Sequence, residues 1–170
     1  VAYIRYDSGM PQIGRYPDNM TIGQVFTMMS DIRGKGTYTT DDELIRNFGL
    51  DALLDKRMSN LSGGTRQKVS AALAFLFSPD VLILDEPTAG LDPVSSEILK
   101  EKIILEKGKG KLVMITSHIL SELDDLVSQV IYMQDGKLCF HKSIEALKNE
   151  TGEAKLSKAI ANVMLQKTSR

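Results

Sequence analysis

The spacing of apolar residues changes several times along the chain, and each change predicts a different element. From Thr21 to Ile32, "TIGQVFTMMSDI" places Ile22, Val25, Phe26 and Met29 three or four residues apart, the pattern of a helix with one buried face. The polar run "RGKGTYTTDDE" predicts a loop, and Thr40 or Asp41 is placed to cap a following helix in "DELIRNFGL" that Gly49 would end. Thr65 to Phe77 predicts a helix rich in Ala, Leu and Phe, stopped by Ser78-Pro79. Val81 to Leu84 is short and uniformly apolar, as expected of a central strand covered on both faces. Pro93 opens a helix to about Lys107, with Asp92 placed as its N-cap. "KLVMITSH", Lys111 to His118, predicts a second buried strand, and "ILSELDDLV" a helix. "SQVIYMQDGKLCFH" predicts a hairpin turning at Asp135-Gly136. Two helices then close the chain, the last around Glu153 to Leu165 with Leu156, Ile160 and Val163 on one face.

The first third is therefore mainly helical, and the middle alternates strand, helix, strand, helix, strand. Such alternation implies an α/β fold with a parallel sheet and helices packed on it. Ligands in such sheets sit beyond the carboxyl ends of the strands, where Asp85 and His118 both fall. A length of 170 residues favours one domain, and 42% hydrophobic residues suffice for a core. Lys and Arg total 21 and Asp and Glu total 22, so a net charge of −1 gives no electrostatic reason to expect a nucleic-acid partner. Cys139 is the sole cysteine, which excludes an internal disulfide and fits a small apolar residue in a reducing compartment. The start "VAYIRYDSGM" lacks the apolar run of a secretory leader. The longest apolar run, Ala71 to Phe77, is far short of the roughly 20 residues of a membrane helix, so a membrane role would need another chain to span it.

The chemistry concentrates in "VLILDEPTAGLDP". Adjacent carboxylates leaving a buried strand point in different directions and can hold different tasks. Asp85 suits Mg²⁺, directly or through water, because Mg²⁺ prefers hard oxygen ligands. Glu86 is placed to orient and deprotonate a water that attacks a phosphoryl group. The plain alternative is a pair of solvated charges at a strand exit. In "LSGGTRQKVS", Ser62, Gly63 and Gly64 open a helix. Two glycines let backbone N–H groups approach an oxygen closely, and the helix N-terminus adds positive potential, which suits phosphate. An ordinary N-cap accounts equally for "SGG" taken alone. His118, after "KLVMITS", is either a structural histidine or a group within reach of a phosphate or water. Gln12 in "MPQIGRYPDNMT" offers a carbonyl to water or metal. Asp92 is a helix cap whose position also permits a contact with a second subunit.

In this order and spacing these segments resemble the ATP-binding subunit of ABC transporters, over nearly the whole chain from about Met10 onward. "LSGGTRQKVS" is similar to that family's signature motif, "VLILDEP" to its Walker B strand with the catalytic glutamate, and "AGLD" to its D-loop. His118 matches the switch histidine and Gln12 the Q-loop glutamine. The alternative register takes "VAYIRY" as the strand before that loop, with Tyr6 in the glutamine position. Within the family, the segments are most similar to bacterial subunits for export or for copper-site maturation of nitrous oxide reductase. The family's Walker A loop, G-x-x-x-x-G-K-[ST], is not found: Lys35, Lys109, Lys111 and Lys137 each follow a glycine, but none completes the motif. The chain thus looks like the C-terminal part of such a domain.

The resemblance implies part of a P-loop NTPase fold: a helical signature subdomain over 19–77, a portion of the catalytic core over 78–150, and a C-terminal helix over 151–170. It implies ATP and Mg²⁺ as ligands, with Asp85 and Gln12 at the metal. It assigns Glu86 and His118 to catalysis, and Gln12, Asp85, Ser62, Gly63, Gly64 and Asp92 to the nucleotide. Two such domains would face head to tail, forming a homodimer in which the signature turn of one serves the nucleotide of the other. An integral membrane permease would be a further partner, no nucleic acid would be bound, and the location would be cytoplasmic, on the inner face of the membrane. Two other readings remain open at this point. One is a soluble ATPase of the same type acting on ribosomes or DNA; the other is a non-catalytic interaction fragment, inactive and self-associating in isolation.

Overall fold

A computed structural model describes residues 7–10, 16–34 and 39–168. The chain forms two compact units, one ending at Thr116 and the other beginning at Ser117.

The first unit is built on three parallel strands, β1 (Asp7–Met10), β2 (Val81–Asp85) and β3 (Leu112–Thr116), with β2 in the centre. Alternation along β2 sends Leu82 and Leu84 to a fully buried face, where Met10 lies beside Leu84. Helix α3 (Gly63–Phe75) lies against β1 and helix α4 (Pro93–Gly108) against β3. Among the described residues the opposite face has no cover: Ile83, Leu112 and Met114 are exposed. The expectation that β2 is covered on both faces is therefore corrected. A short apolar run records that a strand is central, while coverage depends on which layers pack above and below it, and among the described residues one side is covered.

Helix α1 (Ile22–Arg33) begins with a capping box. The Thr21 hydroxyl accepts from the Gln24 N–H, and the Gln24 side chain accepts from the Thr21 N–H at 2.9 Å, which satisfies two donors the first turn leaves unpaired. Ile22, Val25 and Phe26 are its buried face. Helix α2 (Glu43–Asn47) is shorter than its pattern predicts, and Gly49, two residues past its end, has a φ of 64° that suits glycine. Helix α4 starts as expected, with Asp92 Oδ1 accepting from the Ser95 N–H at 3.0 Å and Pro93 in its first turn.

A buried ionic cluster ties α2 to α4. Lys102, 3% exposed, donates to Asp41 at 2.5 Å and to Glu43 at 2.6 Å, and lies 3.2 Å from Glu106. Glu106, 1% exposed, pairs also with Lys109 at 2.7 Å and with Lys111, which in turn donates to Ser78 Oγ at 2.8 Å. Burial alone would raise the Glu106 pKa, but the lysines around it outweigh burial and hold it at about 2. Burial likewise opposes the charge on Lys102, and the surrounding carboxylates reverse that effect and raise its pKa.

In the second unit, β4 (Gln129–Gln134) and β5 (Lys137–Ser143) form an antiparallel hairpin. It turns where predicted: Asp135 and Gly136 have φ of 50° and 72°, the left-handed pair that a two-residue turn requires. Tyr132 and Phe140 face each other across the strands with ring centroids 5.4 Å apart. The hairpin packs on α5 (Ile144–Thr151) and, through Phe140, joins a core completed by Leu147, Leu156, Ile160 and Val163. The last three lie on α6 (Leu156–Thr168), as their spacing predicts. Cys139 packs half-buried against the same core, as expected of a small apolar residue.

Two expectations are corrected in this unit. The last strand of the alternation is not part of the parallel sheet but belongs to the hairpin. "ILSELDDLV" is not a helix: only Leu120–Glu122 makes a single 3-10 turn. The Asp124 carboxylate instead accepts from the Leu156 N–H at 2.9 Å and pairs with Lys148, so a polar residue in the predicted helix caps another one.

Removing Lys102 takes the lysine from the partly exposed Asp41 and Glu43 and one of three lysines from Glu106, and Lys102→Met is expected to cost about 1–3 kcal/mol in chemical denaturation at neutral pH. The Glu106 pKa is lowered from 4.5 to about 2, so its contribution is complete above about pH 5 and fades as pH falls toward 2. The stability difference between the native chain and Glu106→Gln should therefore shrink over that interval; a difference independent of pH there would contradict the ionic account.

Candidate functional site

At the carboxyl end of β2 the strand delivers Asp85 to the open face of the sheet, on the same side as Ile83. Its register partner on β3 is Thr116, whose hydroxyl donates to the Asp85 carboxylate. The next residue, Glu86, takes a left-handed backbone with φ of 47°, a conformation that costs a non-glycine residue roughly 1–3 kcal/mol. That turn separates the two carboxylates, so Asp85 continues the strand while Glu86 leaves it. The Glu86 N–H donates to the Thr116 carbonyl at 3.0 Å, and its own carbonyl accepts from the Ala89 N–H at 3.1 Å.

Ser62 is the N-cap of α3; its hydroxyl accepts from the Thr65 N–H at 3.2 Å and bonds the Thr65 hydroxyl at 2.9 Å. Ser62 and Gly63 are exposed, so the opening of this 13-residue helix faces outward. Gly64 lies against the loop that follows Glu86. A β-carbon on Gly64 would stand 2.7 Å from the Gly90 carbonyl oxygen, and Gly90 itself has φ of 76°. Both glycines are thus required by backbone geometry.

Asp92 closes the loop. Besides capping α4 it accepts from Ser95 Oγ at 2.7 Å and pairs with Lys68 of α3 at 2.8 Å. These donors hold its carboxyl well below the usual carboxylate range, Lys68 foremost. The structure therefore brings Asp85, Glu86, Ser62, Gly63, Gly64 and Asp92 into one neighbourhood of the first unit. His118 is exposed, two residues past the end of β3, and belongs to the second unit. Gln12 lies outside the described residues, as does Tyr6; β1 ends at Met10, two residues before Gln12.

A sequence profile described as "ABC transporter" matches residues 11–89. The ABC transporter ATP-binding protein NatA of Bacillus subtilis (strain 168) is 36% identical over 106 residues, covering 62% of this chain and 43% of NatA. The lantibiotic transport ATP-binding protein SrtF of Streptococcus pyogenes is also 36% identical over 106 residues, covering 62% of this chain and 46% of SrtF. The chain belongs to the ABC transporter ATP-binding family. A solved ATP-binding subunit of an ABC transporter superposes over 94% of this chain and 69% of its own, with a TM-score of 0.83 at 23% identity, which shows that the fold is shared. The chain spans less than half the length of NatA and SrtF.

Two contacts in this ABC domain escape a reading of motifs. Thr116 holds the Asp85 carboxylate, and Gln67, 6% exposed, reaches the Glu86 loop from α3. Thr116 has no local signal, and Gln67, though within the signature-like run, has none for this contact. Thr116 is found only from the β2–β3 register, and Gln67 only from the packing of α3 on the loop.

The Gly64 contact predicts a severe response to one methyl group. Gly64→Ala forces α3 away from the Gly90 carbonyl and is expected to cost about 1–3 kcal/mol of unfolding free energy, the range for overpacking. Gly63→Ala, with nothing within 4 Å of its added carbon, serves as the control. Equal stabilities for the two variants would refute the close approach.

Proposed function

We propose that the protein carrying this chain hydrolyses ATP to power transport across a membrane, as the ATP-binding subunit of an ABC transporter. The observation that carries this reading is the close packing of the glycine turn of α3 on the loop that presents Asp85, Glu86 and Asp92 from the sheet. One helix opening and one acidic strand end are thereby held side by side, as a site shared by two nucleotides requires.

The residues fit Mg²⁺. Asp85 offers a hard carboxylate oxygen at an exposed strand end, oriented by Thr116. Among the described residues there is no group of three or more His, Cys, Asp or Glu side chains able to hold a metal ion. That suits an ion held by one or two carboxylates together with substrate phosphates and water. When bound, Mg²⁺ neutralises charge developing on the phosphates. Glu86 accepts the proton of the attacking water, and Gln12 assists at the ion and the water. Ser62, Gly63 and Gly64 present a hydroxyl and backbone N–H groups to the nucleotide held by a second copy, in a homodimer, and Asp92 lines the same junction. His118 takes the position of the switch histidine. The loop that grips the triphosphate is supplied by another part of the protein.

Among the described residues no helix is long and apolar enough to cross a membrane. The passage itself is assigned to an integral membrane permease. Its contact is placed at α1, beside a groove of about 900 Å³ lined in part by Met20, Gln24, Met28, Ile32 and Leu54. Ile32 is 72% exposed there, an apolar side chain available to a partner. The subunit would lie on the cytoplasmic face.

Glu86→Gln in the complete ATP-binding subunit is expected to keep ATP binding and to lower turnover by about 10²- to 10⁴-fold, the usual contribution of a general base. His118→Ala should lower turnover by roughly ten- to a hundredfold at unchanged thermal stability. Steady-state phosphate release checks both, and wild-type turnover in Glu86→Gln would remove Glu86 from the chemistry.

A further inference from the structure

We infer that Gln67, in the second turn of α3, is a positioning residue for the catalytic carboxylate at Glu86. This rests on the function proposed above and extends it to a residue outside the acidic strand end.

Gln67 is a polar side chain almost entirely removed from solvent, 6% exposed, on a helix whose other inward residues include Val69, Ala71 and Leu73. A buried amide is costly unless its hydrogen bonds are made. Its Nε2 donates to the Glu86 carbonyl at 3.2 Å and to the Pro87 carbonyl at 3.4 Å. With two carbonyl oxygens as neighbours, the NH₂ end is the one that must face the loop. The same amide thus grips consecutive peptide groups on the C-terminal side of Glu86. Glu86 needs such a grip, because its left-handed φ of 47° persists only where surrounding contacts enforce it. Thr116 holds it from the amino side by accepting the Glu86 N–H. Gln67 and the Ala89 N–H hold it from the carboxyl side, Ala89 within the loop itself and Gln67 from another element.

The consequence is mechanical. Gln67 lies three residues past Gly64, on the same helix that opens at Ser62, so a displacement of that opening pulls directly on the Glu86 peptide. Occupation of the helix opening and orientation of the base are coupled within one chain through one amide. Loss of the amide lets the Glu86 peptide relax, and misplacement of a reacting group by about 1 Å can cost roughly a hundredfold in rate.

The test uses the complete ATP-binding subunit. Gln67→Met keeps length and removes the donor; Gln67→Asn keeps the amide and shortens its reach. Both are expected to lower kcat by roughly ten- to a hundredfold, with KM for ATP within about twofold and thermal midpoint within a few degrees. In a Glu86→Gln background the same changes should lower the residual rate no further, since the group being positioned is already gone. A kcat within twofold of wild type in a folded Gln67→Asn variant would overturn the inference. So would an equal proportional loss in the two backgrounds, which marks a general structural role. Should Gln67→Met fail to fold, Gln67→Asn decides. Glu86→Gln measured alone separates this outcome from failure of the Glu86 assignment: wild-type turnover there defeats the functional reading, whereas low turnover there with unaffected Gln67 variants defeats only the positioning role.

Discussion

At Gly64 the backbone of α3 passes so near the Gly90 carbonyl that a β-carbon would stand 2.7 Å from its oxygen. A helix approaches a loop this closely only where a side chain is missing. The contact sets the remaining geometry. Three residues on, Gln67 meets the carbonyls of Glu86 and Pro87, and the next residue, Lys68, meets the carboxylate of Asp92. One helix thus grips the loop near its start, at Gly90 and at its end. The loop contains two left-handed residues, Glu86 and Gly90, and would not keep its path on local preference alone.

The helix that leaves this loop is anchored again near its far end. Lys102 and Glu106 of α4 are both buried and charged: they pair with each other, Lys102 also with Asp41 and Glu43, and Glu106 also with Lys109 and Lys111. Burying ions is expensive, and an apolar cluster of equal volume would hold the elements together as well. What the charges add is a penalty for any packing that leaves one of them without its partner. Asp41 sits at the head of α2, in the segment joining α1 to α3, so the penalty falls on displacement of α2 relative to the sheet. Lys68–Asp92 at one end of α4 and Lys102 with its acids toward the other fix the α3 side of the unit to α4 at two separated points.

Much of this was legible in the chain because the informative residues are neighbours in sequence. The periodicity of α1, α3 and α4, the turn at Asp135-Gly136 and the "DEP" and "SGG" runs each need only a short window. The failures share the opposite property. "ILSELDDLV" has helical spacing, yet Asp124 is drawn away by the N-terminus of α6, which lies 32 residues further along. Coverage of β2 on both faces was inferred from a uniform apolar run, which records centrality and not what packs on each side. Thr116 belongs to no motif, and Gln67 lies within the signature-like run without any local sign of its task; their roles arise from strand register and from a contact spanning 19 residues. The ionic cluster was equally silent, since its members are spread along the chain from Asp41 to Lys111.

The open face bears on the chemistry as well as on the fold. Strand alternation places Asp85 and Thr116 on the same side as Ile83 and Met114, so the carboxylate stands at the rim of an exposed apolar surface. Bathed in water, a single carboxylate attracts a divalent ion weakly, because solvent screens the charge. A layer packed over Ile83 and Met114 would exclude that solvent up to the edge of Asp85. The same two charges then interact in a medium of lower dielectric, and dipoles fixed around them act without having to reorganise. Parity along two short strands therefore links the covering of an apolar face to the strength of the acidic site at its end.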